Sequence, residues 1–170
     1  MDEAHAAVAL VHARGPVEAI LLIRRAERET DPWSGHWSFP GGRRDPADAD
    51  LLDTALRELQ EECGIRLARE TLEAAMPPTT AGRAVGRHMI VAPFIFLIDS
   101  QLPTVLDPRE VADAVWVPVN VLTDPLRHAV QSVPGMPKEQ QFPGIELNGV
   151  ALWGFTYRLL TEWLAGSRGA

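Results

Sequence analysis

The chain has 170 residues, of which 46% are hydrophobic, and its formal net charge is −7 at pH 7. This length and apolar content predict a single globular domain over residues 1–170, with a flexible tail over residues 166–170. The negative charge argues against nucleic acid as a partner, because proteins that bind its backbone usually present a basic face. Acidic residues at the N-terminus and the lack of an apolar run of ~18 residues predict a cytoplasmic protein with no membrane partner.

Apolar runs separated by glycine and proline predict a series of strands. Residues 6–13 and 17–25 predict a hairpin that turns at Gly15 and Pro16. Further strands are predicted over 37–39, over 90–98, where Pro93 indicates an edge or a bulge, and over 115–119. The long irregular stretch 26–50 is typical of a functional loop. Residues 124–151 predict a loop or loose hairpin, and residues 152–164 predict the last helix.

A helix is predicted over residues 51–63. Asp50 is a good N-cap, Asp53 occupies the capping-box position, and Gly64 is a typical C-terminal stop. At 100° per residue the apolar side chains fall within about 60° of one another and form a core stripe. The stripe comprises Leu52, Leu56, Leu59 and Cys63. Because Cys63 is the chain's one cysteine and lies on this stripe, we expect no disulfide, no zinc thiolate cluster and no redox role.

Three glutamates crowd onto the same helix next to the core stripe. Glu58, Glu61 and Glu62 fall on an arc of about 100°, and like charges at this spacing cost a few tenths of a kcal/mol each. One interpretation is an acidic face in contact with water. The other is a site for a hard divalent cation, because glutamates at positions i, i+3 and i+4 can converge on one ion. The triplet by itself leaves both interpretations open.

The residues around the triplet resemble the signature of the Nudix hydrolases, in which a glycine and a glutamate precede an Arg-Glu-aliphatic-x-Glu-Glu-x-Gly-aliphatic segment. The segment RELQEECGI fills the second half completely, with Arg57, Glu58, Leu59, Glu61, Glu62, Gly64 and Ile65. The first half departs from the pattern. Gly42 lies one residue too far upstream, and the early glutamate slot falls on Ala49. Whether Asp48 or Asp50 replaces that glutamate is left open.

Other segments are most similar to the branch of this family that cleaves coenzyme A. The upstream box of that branch is matched by Leu21, Leu22, Arg25, Ala26, Gly35, Phe39, Pro40, Gly41 and Gly42. Ile23 and Thr30 depart from the box, and Gly35 comes one residue late. The closing segment ALWGFTYRLL is also similar to that branch.

The resemblance implies a fold and an activity. The fold is of the α/β class, a Nudix-type α/β/α sandwich with a mixed β-sheet between helices. The activity is hydrolysis of the pyrophosphate bond of a nucleoside diphosphate linked to another moiety, with bound Mg²⁺ or Mn²⁺. Coenzyme A or acyl-CoA is the leading small-molecule substrate, and ADP-ribose, a nucleotide sugar or a (deoxy)nucleoside triphosphate is the alternative. A nucleotide-binding regulatory module without catalysis and a homodimer are also compatible with the family.

The resemblance also assigns roles to residues. Glu58, Glu61 and Glu62 become metal ligands, Arg57 orients them, and the backbone of Gly41 and Gly42 approaches the metal and phosphates. Glu110 is the candidate general base, with Asp107 and Asp113 as weaker choices. Arg25 and Arg87 are candidate phosphate contacts, with Arg83 as an alternative to Arg87. His88 and His128 are candidates for positioning water or phosphate. Adenine stacking or plain packing is expected of Trp33, Trp37 and Phe142.

Overall fold

The structure is a computed structural model that describes residues 3–31, 34–83, 86–133 and 135–168. An eight-stranded mixed sheet forms the centre of the fold. β1 runs parallel to β7, and the other strand pairs of this sheet are antiparallel. The strands are β1 Ala6–Gly15, β2 Ala19–Arg25, β3 Trp37–Ser38, β4 Gly41–Arg43, β5 Leu72–Ala75, β6 Thr79–Ala81, β7 Met89–Ser100 and β8 Val111–Pro118. The path β3-β2-β1-β7-β5 is extended by β4 on β1, β6 on β7 and β8 on β2.

A second sheet and three helices complete the described chain. The second sheet has the order β11-β10-β9 and consists of β9 His128–Gln131, β10 Phe142–Leu147 and β11 Val150–Trp153. The helices are α1 Leu51–Cys63, α2 Val119–Thr123 and α3 Gly154–Arg168. None of these helices combines the length and the apolar character needed to cross a bilayer.

Alternating side chains of the central sheet pack on opposite faces. On β2, Leu21 and Ile23 contact the cluster that contains the apolar stripe of α1, whereas Ile20 and Leu22 contact the cluster around α3. The second sheet contributes Ile145 to the α3 side. Because side chains of a strand point alternately to its two faces, both faces need a cover. The predicted α/β/α sandwich with a mixed sheet is confirmed.

The predicted bounds of α1 are confirmed, because both ends are set by local contacts. The Asp50 carboxylate accepts the backbone N–H of Asp53 over 2.8 Å, and the Asp53 carboxylate accepts the N–H of Ala49 over 3.2 Å. Gly64 has a φ of 68°, and its N–H donates to the carbonyl of Gln60. These bonds satisfy backbone groups that a helix leaves unpaired at its ends.

Several predicted boundaries were wrong. The last helix begins at Gly154 and continues to Arg168, so residues 166–168 of the predicted tail are helical, and residues 150–153 are a strand. The loose hairpin after α2 is part of a three-stranded sheet. Pro93 marks neither an edge nor a bulge, because β7 is paired on both sides. On one side of β7, β5 pairs with residues 94–96 and β6 pairs with residues 89–91. Pro93 lies in the gap between these two pairings, where its lack of an N–H costs no ladder hydrogen bond.

We expect Gly64→Ala to destabilise the protein. A Cβ at this left-handed position would lie 2.9 Å from the Cβ of Val105 and 3.0 Å from its carbonyl oxygen. The backbone strain alone costs roughly 1–2 kcal/mol. Urea unfolding of the variant should show at least that loss. Gly166→Ala is the matched control, since its helical Cβ meets nothing within 4 Å and should stabilise by roughly 0.5–1 kcal/mol. Equal stabilities for the two variants would contradict this role of Gly64.

Candidate active site

A cleft of about 1180 Å³ lies where α1, β4, the start of β1 and the start of α3 meet. All eight of the predicted catalytic and substrate-binding residues other than Arg57 line it: they are Arg25, Gly41, Gly42, Glu58, Glu61, Glu62, Arg87 and Glu110. Arg57 lies behind these carboxylates rather than on the wall. The fold therefore gathers the predicted residues into one site.

Two glycines let β4 approach α1 and β1 closely. A Cβ on Gly42 would lie 2.5 Å from Oε1 of Glu58, and a Cβ on Gly41 would overlap the backbone of Ala7. The N–H of Gly41 donates to Oε1 of Glu62 over 2.8 Å. The two glycines thus bring peptide groups against the helix glutamates, and their predicted approach to a metal and to phosphates stays a prediction.

The guanidinium of Arg57 ties the carboxylates together. Its Nη1 donates to Glu58 and to Glu61, each over 3.1 Å, and its Nη2 donates to the carbonyl of Arg43. Its Nε and Nη2 donate to the two oxygens of Asp48 over 2.9 and 3.0 Å. Arg57 is therefore a positioning residue, because it reaches the cleft through the glutamates that it holds.

Asp48, rather than Asp50, belongs to this network. Its buried carboxylate also accepts the hydroxyl of Thr54 and the N–H of Asp45, each over 2.9 Å. The hydrogen bonds from Arg57 are the main reason that the pKa of Asp48 lies well below its ordinary value. Asp50 instead caps α1 and pairs with Arg69. Of the two aspartates near the early glutamate slot, Asp48 is therefore the one that contacts the signature arginine.

Burial works against the charge of the helix glutamates. Desolvation raises the pKa of Glu62 to about 8, with the negative charges of Glu58 and Glu110 adding to the shift and the N–H of Gly41 opposing it. Desolvation also raises the pKa of Glu58, against the opposing effect of Arg57. Carboxylates in such a position favour either a proton or a nearby cation. The site is therefore suited to bind positive charge.

Arg25 reaches the cleft already paired. Its Nη2 lies 2.9 Å from the carboxylate of Asp31, and its backbone N–H donates to the carbonyl of His36. Its positive charge opposes the rise in the pKa of Glu62. Burial is the main reason that the pKa of His36 is low, and the charge of Arg25 adds to that shift. Arg25 contributes positive potential beside the glutamates.

Sequence reasoning missed the wall formed by α3. Phe155, Tyr157 and Arg158 of α3 line the cleft, together with Trp153 at the end of β11. The segment that contains them had a signal only in its resemblance to the coenzyme A branch, which gave no residue a role. These residues reach the site because α3 packs across the sheet, a placement that no local pattern encodes.

The stacking candidates have different outcomes. Trp37 is 3% exposed and donates its indole N–H to the carbonyl of Leu147, so packing is its role. Phe142 lines the cleft with its ring centroid 4.7 Å from that of Trp153, so its stacking on a base stays a prediction. Trp33 lies outside the described residues.

Some of the remaining candidate site residues line the cleft and others do not. Arg83, Arg87 and Asp107 line the cleft, whereas His88, Asp113 and His128 do not. The two ring nitrogens of His128 contact the hydroxyl of Tyr157 and the carbonyl of Leu122. Cys63 is fully buried, and burial raises the pKa of its thiol to about 12, which agrees with the absence of a redox role.

Residues 3–138 match the NUDIX domain family over most of the chain. This chain belongs to that family. Human mitochondrial coenzyme A diphosphatase NUDT8 is 44% identical over 71 residues, which cover 42% of this chain and 30% of that protein. Matched segments span between 30% and 50% of the length of the curated relatives.

Solved Nudix structures share the fold at low identity. The NUDIX domain of Shewanella oneidensis NrtR complexed with ADP ribose has a TM-score of 0.57 and 21% identity, covering 74% of this chain and 79% of that chain. A bifunctional NMN adenylyltransferase/ADP ribose pyrophosphatase from Francisella tularensis, complexed with AMP and a Mn ion, has a TM-score of 0.61 and 18% identity. That match covers 98% of this chain and 42% of the other.

The donor set of this Nudix domain fits an oxygen-seeking divalent cation. The bonds from Arg57 and Gly41 each engage one oxygen of Glu58, Glu61 or Glu62, and carboxylate oxygens are the ligands that Mg²⁺ prefers. Within the described ranges, no three His, Cys, Asp or Glu side chains are gathered closely enough to hold an ion as they stand. Arg57 supplies the positive charge that groups Glu58 and Glu61.

Glu110 lies on the rim of the cleft near the helix glutamates. Its charge adds to the raised pKa of both Glu58 and Glu62. Nη2 of Arg28 lies 3.5 Å from Oε1 of Glu110, and the same nitrogen donates to the carbonyl of Arg109. Arg109 itself pairs with Asp107, which is why Asp107 is the weaker candidate for a base.

We expect Asp48→Asn to destabilise the protein at neutral pH by about 2 kcal/mol, because a charged hydrogen-bond acceptor of Arg57 becomes neutral. The low pKa of Asp48 means that its stabilisation is present above about pH 4, the ordinary range of an unfolded aspartate, and fades at lower pH. The difference in unfolding free energy between the two proteins should therefore begin to narrow between pH 4 and pH 3, and it should close only at still lower pH, below the folded pKa of Asp48.

The control for this prediction is Asp99→Asn. Asp99 is almost fully exposed and lies 3.9 Å from Arg14, so its loss should change the free energy of unfolding by less than about 0.5 kcal/mol. A gap between wild type and Asp48→Asn that stays constant down to pH 3 would show that charge is not what Asp48 contributes.

Proposed function

We propose that this Nudix domain is a divalent-metal-dependent hydrolase that cleaves the pyrophosphate bond of coenzyme A or acyl-CoA. The general reaction is hydrolysis of a nucleoside diphosphate linked to another moiety. The observation that carries the proposal is the position of Glu62, which is buried in the cleft, bonded to Gly41 and flanked by two further glutamates. Such a buried acidic group costs stability unless it binds positive charge.

Glu58, Glu61 and Glu62 are the residues that would hold Mg²⁺ or Mn²⁺. Such an ion neutralises charge on the phosphate oxygens and lowers the pKa of a bound water. The chain's own part is to hold Glu58 and Glu61 through Arg57 and Glu62 through the N–H of Gly41. The three carboxylates would have to move closer together to share one ion.

Glu110 is the proposed general base. It accepts a proton from the water whose oxygen bonds to phosphorus, while the bond from that phosphorus to the bridging oxygen breaks and the second phosphate leaves. Nη2 of Arg28 lies 3.5 Å from Oε1 of Glu110, so a positive charge lies beside this carboxylate. The charge of Glu110 also reaches Glu58 and Glu62, which places it close to the helix glutamates.

The choice of coenzyme A rests on sequence similarity and on the position of one departure. NUDT8, with which this chain shares 44% identity over 71 residues, is a coenzyme A diphosphatase. Ile23, which departs from the upstream box, is 1% exposed and packs toward α1. A substitution at such a position has no contact with a substrate. It therefore says little against coenzyme A.

ADP-ribose is the second candidate substrate. The Nudix domain of NrtR was solved with ADP ribose, and the Francisella enzyme is an ADP ribose pyrophosphatase. Thr30, the second departure from the box, lines the cleft and can therefore contact a substrate. Coenzyme A and ADP-ribose both contain a diphosphate, which the glutamates of α1 would bind through the metal ion.

We expect Glu62→Gln to lower turnover by about 100-fold or more, because it removes charge from the site that stabilises the transition state. Mg²⁺ should raise the melting temperature of the wild type but not of this variant. The pKa of about 8 means that ionising Glu62 costs stability as the pH rises from about 4.5 to 8. Without metal, the variant should therefore be more stable than the wild type at pH 8.

Glu110→Gln is the matched comparison for Glu62→Gln. It should lower kcat by roughly 100-fold or more, as loss of a general base does, while the stabilisation by Mg²⁺ persists. Calorimetry with Mg²⁺ and with a chelator measures the second effect. Normal turnover in Glu62→Gln would contradict the metal assignment, and normal turnover in Glu110→Gln would contradict only the identity of the base.

The substrate is tested by a panel of coenzyme A, ADP-ribose, NADH, nucleotide sugars and nucleoside triphosphates, each with Mg²⁺ and with Mn²⁺. We expect the highest kcat/KM with coenzyme A, with adenosine 3′,5′-bisphosphate and phosphopantetheine as products. Faster cleavage of ADP-ribose would select the second candidate. Tight binding of a nucleotide without turnover of any substrate would instead indicate a regulatory module.

A further inference from the structure

The cleft has an acidic end and a basic end. The glutamates of α1 occupy the first, whereas Arg83, Arg87 and Arg158 line the cleft at the second, near β6 and the first turns of α3. In the described parts of the chain, no carboxylate forms a salt bridge with these three arginines. Arg25, in contrast, is paired with Asp31. The basic end therefore carries positive charge that is not neutralised within the described chain.

The guanidinium of Arg158 is held in place by one of its nitrogens. Nη2 donates to the carbonyl of Thr80 over 2.7 Å and to the hydroxyl of Thr79 over 3.3 Å. The guanidinium carbon lies 5.8 Å from the ring centroid of Phe155. Nε and Nη1 make no hydrogen bond to the described residues. A fixed guanidinium with donors left over is well suited to bind a phosphate.

The strand register gives the separation of the two ends. Arg43 of β4 is paired with Ala6 of β1, Ala6 with Val91 of β7, and Val91 with Thr79 of β6. Three steps of about 4.8 Å place Thr79 roughly 14 Å from Arg43, which lies beside the glutamates. The floor between them consists of small or apolar side chains, including Ala6, Ala81 and Val91, which form one cluster. A ribose with its attached phosphates can lie along this floor.

We infer that Arg158, assisted by Arg87, forms a second anion subsite that binds a phosphate monoester on the ribose of the substrate. The inference rests on the proposed function, in which the diphosphate occupies the acidic end. Coenzyme A carries such a monoester at the 3′ position of its ribose, whereas ADP-ribose does not. Arg158 thereby determines which nucleoside diphosphates are good substrates and takes no part in the chemical step.

The test compares coenzyme A with 3′-dephospho-coenzyme A, which differs only in the monoester. kcat/KM is measured with Mg²⁺ for the wild type, Arg158→Gln and Arg158→Lys. We expect Arg158→Gln to lower kcat/KM for coenzyme A by about 10- to 100-fold, mainly through KM, because a charged hydrogen bond is lost. The value for dephospho-coenzyme A should stay unchanged. Arg158→Lys should recover part of the loss.

Two further variants complete the design. Arg87→Gln should also lower the preference for coenzyme A over dephospho-coenzyme A. It replaces Arg158→Gln if that variant fails to fold, because Arg87 is exposed and bonds to Gly82 through its backbone N–H. Arg14→Gln is the matched control, because Arg14 is exposed and lies outside the cleft. It should leave both substrates unaffected.

The possible results are distinguishable. An equal loss on both substrates would assign Arg158 a purely structural role in joining α3 to β6, and no loss on either would exclude contact with the monoester. If the wild type cleaves neither substrate, the proposed function fails. The subsite is then tested by calorimetric binding of adenosine 3′,5′-bisphosphate and AMP to the wild type and Arg158→Gln. Equal affinities for the two nucleotides in the wild type would overturn the inference.

Discussion

The site depends on the ion pair between Arg57 and Asp48. Asp48 is buried and bonded to Thr54 and to the backbone of Asp45, so it fixes one edge of the guanidinium. The other edge then holds Glu58 and Glu61. Because a bidentate pair sets direction as well as distance, the loop before α1 determines where the helix presents its glutamates. The same guanidinium bonds to the carbonyl of Arg43 and so fastens β4 to the helix.

The buried glutamates oppose folding at neutral pH, and this conflict connects stability with function. Glu62 is removed from water, and among the described residues only the N–H of Gly41 is bonded to its carboxylate. Desolvation therefore raises its pKa, with the charges of Glu58 and Glu110 adding to the effect. A cation bound here would stabilise the ionised carboxylate of Glu62, which few protein groups do. Strongly shifted pKa values in a cleft are typical of functional sites for this reason.

The uneven charge of the cleft also bears on the substrate. An acidic protein binds an acidic ligand only where its charge is locally reversed. In this fold the local charge would be positive at two places: at the glutamates, through the proposed ion, and near β6, through Arg158. Ala6, Ala81 and Val91 line the floor between them. The two ends would then recognise two separated phosphate groups rather than one.

The sequence alone determined α1, its caps and the grouping of its glutamates, because helix periodicity and capping act between residues at most four positions apart. It also indicated β1 and β2. The partner of Arg57, the pairing of β7 on both sides of Pro93 and the wall formed by α3 were decided by the tertiary structure. The position of Asp50 directly before the helix already identified it as the cap, whereas only the path of the loop makes Asp48 the partner of Arg57. Arg158 meets Thr80 only because α3 crosses the sheet, and such long-range contacts leave no periodic pattern in the chain.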